Sequence, residues 1–381
     1  MLQGTERYRF GYHLLVGLRP GARLSDDDKR MLEQLGPAGV VLFGANFLHD
    51  VGYEEWPSAH EKLIADIRAY SPRPNVLIAI DHEGHGIVRP PEPVTAYAHA
   101  RDWSGKAGEV ARAMGLELAS LGINVNFAPV LDIDSNPQSP IIGRRAFGTD
   151  ANTVAKAGRA FVQGLESQGV LACPKHYPGH GAAIEDSHAT LPSVPLGIEE
   201  LRQRELLPFA ELVRDGVRML MTAHLVFPRI DAKPATYSRI LLKGLLRDEL
   251  GFDGVMVTDD IGMPAVREQF SSDDDALEAA LNAGTDLIMI CDYWTDTERA
   301  YAIAKDIEQR LSRGQLAEQT LVDSRERIER LLLDAPNHPV TPLPVELFAR
   351  HRAMAPLGRR SSSALSEAQT VRLSRGGKRD A

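Results

Sequence analysis

Cysteine is nearly missing from this chain: two in 381 residues, Cys173 and Cys291, each inside an apolar run. Two thiols make no disulfide framework, and buried reduced cysteines fit a reducing compartment, so a cytoplasmic protein is the simplest expectation. Long apolar runs are missing too. No stretch of about 18 apolar residues exists to span a bilayer, and residues 1–7 lack the basic flank and apolar run of a secretory signal. Membrane insertion is therefore not expected. Positive charge is in deficit, 43 Lys and Arg against 52 Asp and Glu for a net charge of −9, which argues against nucleic acid as the main partner. No repeat of solenoid period is visible, and no Gly-x-Gly-x-x-Gly turn follows the first apolar run, as a dinucleotide-binding sheet would require.

What is present is an ordinary globular composition, 43% apolar and 25% charged, with ample length for a large core. Short aliphatic runs recur at 13–18, 40–43, 76–80, 125–128, 170–174, 218–222, 254–257 and 286–290. Between and after them lie segments of helical periodicity, at 27–35, 57–69, 107–121, 151–168, 199–215, 239–250, 274–283 and 296–312. Regular alternation of this kind implies an α/β fold with parallel strands, and eight units imply closure into a (β/α)8 TIM-type barrel over residues 1–335 as a single domain. An open doubly wound sheet is the rival. From 336 to 381 the composition turns Pro- and Ser-rich with a basic end, Arg372, Arg375, Lys378 and Arg379. Such a tail is expected to be largely mobile, or to pack only through 343–348.

If the strands form a barrel, residues just after each strand share one rim. That rim is polar throughout. After 76–80 comes Asp81-His82-Glu83-Gly84-His85-Gly86, ending in Arg89; after 125–128 come Asp132, Asp134 and Gly143-Arg144-Arg145. The fifth run delivers Lys175-His176-Tyr177-Pro178-Gly179-His180-Gly181 and then Asp186-Ser187-His188; later runs deliver His224 and Thr258-Asp259-Asp260. A single histidine there would pass as part of a solvated loop. Lys, three His and Asp within fourteen positions make a general acid/base the better account, since Asp can orient an imidazole that titrates near neutrality. A zinc site from His176, His180, Asp186 and His188 is the weaker alternative, with loose spacing and Lys175 beside it. Asp259 follows an apolar strand directly into the expected pocket, where a carboxylate can attack an anomeric carbon; Asp260 is left to cap or support the next segment.

These motifs together resemble glycoside hydrolase family 3, in particular its cytoplasmic single-barrel β-N-acetylglucosaminidases. The resemblance rests on Gly39-Val40-Val41-Leu42-Phe43 with Asn46, Ala79-Ile80-Asp81-His82-Glu83-Gly84, Phe127-Ala128-Pro129-Val130-Leu131-Asp132, the Lys175 to Gly181 loop, and Gly251 to Asp260, and covers about residues 10 to 335. It implies that Asp259 is the nucleophile and His188 the general acid/base, with Asp186 orienting it. It implies that Asp81, Arg145, Lys175 and His176 hold the sugar hydroxyls. No cofactor or metal is implied, and the partner is a small carbohydrate, an amino-sugar glycoside or muropeptide, acted on by a monomer or weak homodimer. Two segments depart from the family. Gln-Glu-Gly-Gly-Arg is common after the first Asp, where this chain has His82-Glu83-Gly84-His85-Gly86; Arg144 replaces an acidic residue and Ala146 a Ser. The expected activity is removal of terminal β-linked N-acetylglucosamine with retention. A β-glucosidase, or a phosphorylase favoured by the absence of a second carboxylate, would use the same nucleophile, and a sugar-binding protein without catalysis is a different class.

Overall fold

The aliphatic runs form parallel strands. In the computed structural model, which describes residues 10–139, 141–183, 191–263, 266, 273–291 and 298–360, β1 is Leu14–Gly17, β2 Gly39–Leu42 and β3 Leu77–Ile80. A small antiparallel hairpin follows, β4 His82–Gly84 with β5 Ile87–Val88. Then come β6 Val125–Asn126, β7 Leu171–Ala172, β8 Met219–Thr222, β9 Val255–Thr258 and β10 Ile288–Ile290. Six strands pair in parallel in the order β10-β1-β2-β3-β6-β7, and β8 pairs in parallel with β9. The two sets meet through backbone bonds on both sides. Tyr177 N donates to Met221 O (2.8 Å) beyond β7, and Thr258 N donates to Leu287 O (3.0 Å) ahead of β10. The result is an α/β fold with a mostly parallel central sheet.

All residues of β1, β2, β3, β8 and β9 are buried, which is why these strands read as continuous apolar runs rather than alternating ones. Truncating one core side chain, as in Ile78→Ala, costs about 2–5 kcal/mol. Helices Asp26–Leu35, Trp56–Tyr70, Ala107–Ser120, Ala151–Glu166, Leu207–Arg214, Arg299–Ser312 and Glu318–Asp334 cover the sheet. Their starts follow the sequence chemistry: Ser25 and Asp28 form a reciprocal capping box, and Asp150 Oδ1 accepts from Thr153 N at 2.9 Å. Two expected α-helices are corrected in pitch, since Leu201–Glu205 and Ile240–Glu249 are wound wider, as π-helix. Over one or two turns the apolar spacing of Leu241, Leu242, Leu245 and Leu246 suits either winding.

One charged knot closes the end of the sheet where β9 and β10 begin. Asp286, fully buried, accepts from Arg247 Nη2 (2.6 Å), Arg327 Nε (3.0 Å) and Met256 N (2.8 Å). Arg247 also donates to Phe252 O and Gly254 O, at 2.8 and 2.6 Å.

The C-terminal expectation needs correcting. Packing extends far past 343–348, through to Arg360, with helix Val345–Arg352 in its middle. Val340 bridges to Leu121, Phe348 is buried against Tyr53, and His351 Nδ1 meets Glu117 Oε1 at 2.6 Å. Pro-rich composition hides this, because the anchors are single side chains whose partners lie hundreds of residues away in sequence. Residues 361–381 lie outside the described residues.

Candidate active site

Strand pairing sets the first residue in place. Asn126 in β6 clamps His82 with two backbone bonds, accepting from His82 N and donating to His82 O, both at 3.0 Å. In the extended backbone that follows, Asp81 and Glu83 stand two residues apart and so project to one side. Both meet Lys175, which the chain after β7 delivers from two strands along the sheet. Lys175 Nζ lies 2.8 Å from Asp81 Oδ1 and 2.6 Å from Glu83 Oε1. Arg145 grips Glu83 with a two-pronged fork, Nε to Oε2 and Nη2 to Oε1, each 2.9 Å. Arg89 stands 3.7 Å from the other oxygen of Asp81.

The electrostatics of this cluster are mutual. Burial alone would raise the Glu83 carboxyl, yet Arg145 and Lys175 outweigh it and hold Glu83 well below the usual carboxylate range. Burial would likewise lower the Lys175 ammonium, but Asp81 and Glu83 raise it, so both groups stay charged near neutrality.

A second group sits beside the first. Asp132, fully buried, binds His176 Nδ1 (2.6 Å) and the backbone N–H of His180 (2.6 Å), fixing the loop that follows β7. With Nδ1 bonded, the His176 ring is oriented by its carboxylate. The His180 ring is 3% exposed and neither nitrogen has a hydrogen-bond partner among the described residues, and burial lowers it to about 4, which favours the neutral imidazole near pH 7. Asp259 leaves the end of β9, with its own Oδ1 accepting from Asp260 N at 2.8 Å. Asp260 turns inward and accepts from Gly262 N and Cys291 N, at 2.9 and 3.0 Å, giving hydrogen-bond support to the turn. His224 lies close enough to feel the charge of Asp259, but burial dominates and lowers it.

Asp81, Glu83, Arg89, Arg145, Lys175, His176, His180 and Asp259 line a single cleft, whose wall also includes Gly86 and Ile87 and whose apolar lining includes Met221, Met263 and Met289. Five sequence-derived candidates, Asp81, Arg145, Lys175, His176 and Asp259, thus face one space. Asp186 and His188 lie outside the described residues. Among the described residues no group of three or more His, Cys, Asp or Glu is disposed to hold a metal ion. Sequence reasoning gave no role to Glu83 or Asp132, the two carboxylates that organise the cations and the loop. The period of two linking Asp81 to Glu83 was the available signal for the first. Among the described residues no helix is long and apolar enough to cross a membrane.

A polar cleft with a carboxylate at a strand end, paired cationic side chains and an imidazole-rich loop is suited to acid/base and covalent chemistry on a polar substrate. The glycosyl hydrolase family 3 N-terminal domain matches residues 12–331. A β-hexosaminidase from Methylococcus capsulatus is 36% identical over 319 residues, 81% of this chain and 91% of that protein. Its counterpart in Pseudomonas aeruginosa PAO1 is 36% identical over 289 residues, 74% and 83% of the two chains. Among solved structures, a family 3 β-N-acetylglucosaminidase from Paenibacillus sp. FPU-7 superposes with a TM-score of 0.79 at 34% identity, over 90% of this chain and 67% of that one. NagZ from Neisseria gonorrhoeae, in complex with N-trifluoroacetyl-D-glucosamine, gives 0.71 at 28% identity over 92% and 95%.

Proposed function

The chain belongs to glycosyl hydrolase family 3 and is a hydrolytic enzyme, and from that premise we propose a retaining exo-β-N-acetylglucosaminidase acting on muropeptides or short chito-oligosaccharides. The reading is carried by the cleft itself, where Asp259 faces the Asp81, Glu83, Lys175 and Arg145 cluster. Lys175 and Arg145 keep donors to spare for sugar hydroxyls, and Asp81 keeps acceptor capacity. In the proposed first step a carboxylate oxygen of Asp259 attacks the anomeric carbon while protonated His188 gives its proton to the leaving oxygen. In the second, His188 removes a proton from water, the water oxygen bonds to the anomeric carbon, and the ester to Asp259 breaks. Asp186 orients His188 throughout. No cofactor enters this scheme.

We further propose that the strand pairings close into a (β/α)8 TIM-type barrel, with the cleft at the carboxyl ends of its strands. The catalytic domain is taken as residues 1–335. A cytoplasmic setting suits two buried cysteines that are not joined in a disulfide.

The decisive experiment incubates the protein with aryl β-N-acetylglucosaminide and aryl β-glucoside, each with and without phosphate, and identifies the sugar released. Free N-acetylglucosamine is the expected product. Sugar 1-phosphate would move the enzyme to the phosphorylases, and preference for glucoside would overturn the donor assignment. His188→Ala is expected to slow poor leaving groups far more than activated aryl ones; equal slowing would remove His188 as the acid.

A further inference from the structure

The matched family domain ends at residue 331, yet the chain beyond it reaches the wall of the cleft at Gly86. Its path begins at the opposite end of the sheet, where His338 Nε2 bonds Gly169 O (2.9 Å) just ahead of β7. It finishes beside the β4–β5 hairpin. There Leu357 bridges antiparallel to Tyr97, Ala98 N donates to Pro356 O, Gly358 N donates to Ala96 O, and Gly86 N donates to Arg359 O, each bond 2.8 Å. Gly358 has no room for a side chain: a Cβ there would stand 2.4 Å from Tyr97 O and 3.0 Å from the Cα of both Ala98 and His85. Arg360 then donates to Pro90 O (2.6 Å) and to Val94 O, while Arg352 donates to Pro93 O (3.1 Å).

The held segment is the one that needs holding. Residues 82–98 contain only the two short strands β4 and β5, yet they supply Glu83, Gly86, Ile87 and Arg89 to the cleft wall. Glu83 in turn places Lys175 and Arg145. A wall with so little regular structure takes its position from what packs behind it. On one side that is Glu117, whose carboxylate accepts from Thr95 N and Thr95 Oγ1, both 2.7 Å, and also binds His351. On the other it is residues 351–360.

We propose that residues 351–360 are a positioning strap for the sugar cleft, fixing the 82–98 wall and, through Glu83, the cations that grip the donor sugar. None of these residues lines the cleft. The proposal rests on the glycosidase reading only for its kinetic arm; the structural arm is independent of it.

The test uses the full chain with Arg360→Ala and Gly358→Val, and with His338→Ala as a control at the far end of the same segment. Amide hydrogen exchange across 82–98 is followed by mass spectrometry, and KM and kcat are measured on aryl β-N-acetylglucosaminide. Both strap variants are expected to exchange about tenfold faster across 82–98, with KM raised about five- to tenfold and kcat within about twofold of the parent. His338→Ala is expected to change neither. If Gly358→Val does not fold, Arg360→Ala, which removes only one side chain's bonds, carries the test, and Arg360→Lys should recover part of the loss. Unchanged exchange across 82–98 in Arg360→Ala, faster exchange with parental KM, or an equal rise in His338→Ala would each overturn the strap. A parent inactive on the sugar overturns the glycosidase reading, and exchange alone then decides the strap.

Discussion

The two ends of the sheet carry knots built from the same groups, and they differ in what is left over. At the end where β9 and β10 begin, both oxygens of Asp286 are taken, by Arg247, Arg327 and the Met256 N–H, with no solvent contact. At the other end, Asp81, Glu83, Lys175 and Arg145 bind one another around a cleft that Asp259 also faces. Lys175 has three donors and two ion partners, so it has capacity in hand. A saturated knot is a lock, and an unsaturated one is a socket. Both pair buried carboxylates with cations; the spare donors separate structure from function.

The sharpest way to break this comparison is Asp259→Asn, expected to lower kcat by at least about a thousandfold with the fold unchanged by circular dichroism. Retained turnover would empty the socket of its meaning. Asp286→Asn should do the opposite: the two guanidinium groups lose their buried counter-charge, costing about 3 kcal/mol of stability by denaturant titration. Its kcat/KM should stay within about twofold, and a large catalytic loss would merge the two knots into one. Glu83→Gln tests the middle ground. It keeps the shape but releases Arg145 and Lys175 from their shared anion, so kcat/KM should fall about ten- to a hundredfold, mostly in KM.

The last test concerns acid. Burial holds His13, which bonds the Asp286 carbonyl, and His180 in the cleft near 4, with His60 near 4 and His82 near 3. Each is depressed below the ordinary 6.5, so the unfolded chain binds protons that the folded chain refuses. The stability they contribute is fully present above about pH 6.5. It falls as pH drops toward 4, by about 1.4 kcal/mol per group for each pH unit at most. Thermal midpoints measured from pH 7 to 4 should decline steadily; a flat profile would mean the buried imidazoles take up protons without cost.

Much of the framework was legible because parallel strands buried on both faces need uninterrupted aliphatic runs, and those of β1 to β3 and β8 to β10 stand out as such. Asp81, Lys175 and Asp259 were legible because each follows such a run. The β4–β5 hairpin was not, since His82-Glu83-Gly84 has neither the alternation nor the apolar content of a strand. The partnership of Glu83 with Arg145 spans 62 residues, and that of His351 with Glu117 spans 234, distances over which pattern carries no information. The strap was invisible for the same reason.

Gly86 points to how such an enzyme changes. It lines the cleft with φ of +80°, and among the described residues nothing stands within 4 Å of the place a Cβ would occupy. Space therefore does not forbid a side chain there; backbone handedness alone resists it, and Asn or Asp resist least. For a lineage or a protein engineer, that makes this position an adjustable aperture. One codon can add a polar side chain to the cleft wall, while both knots stay as they are.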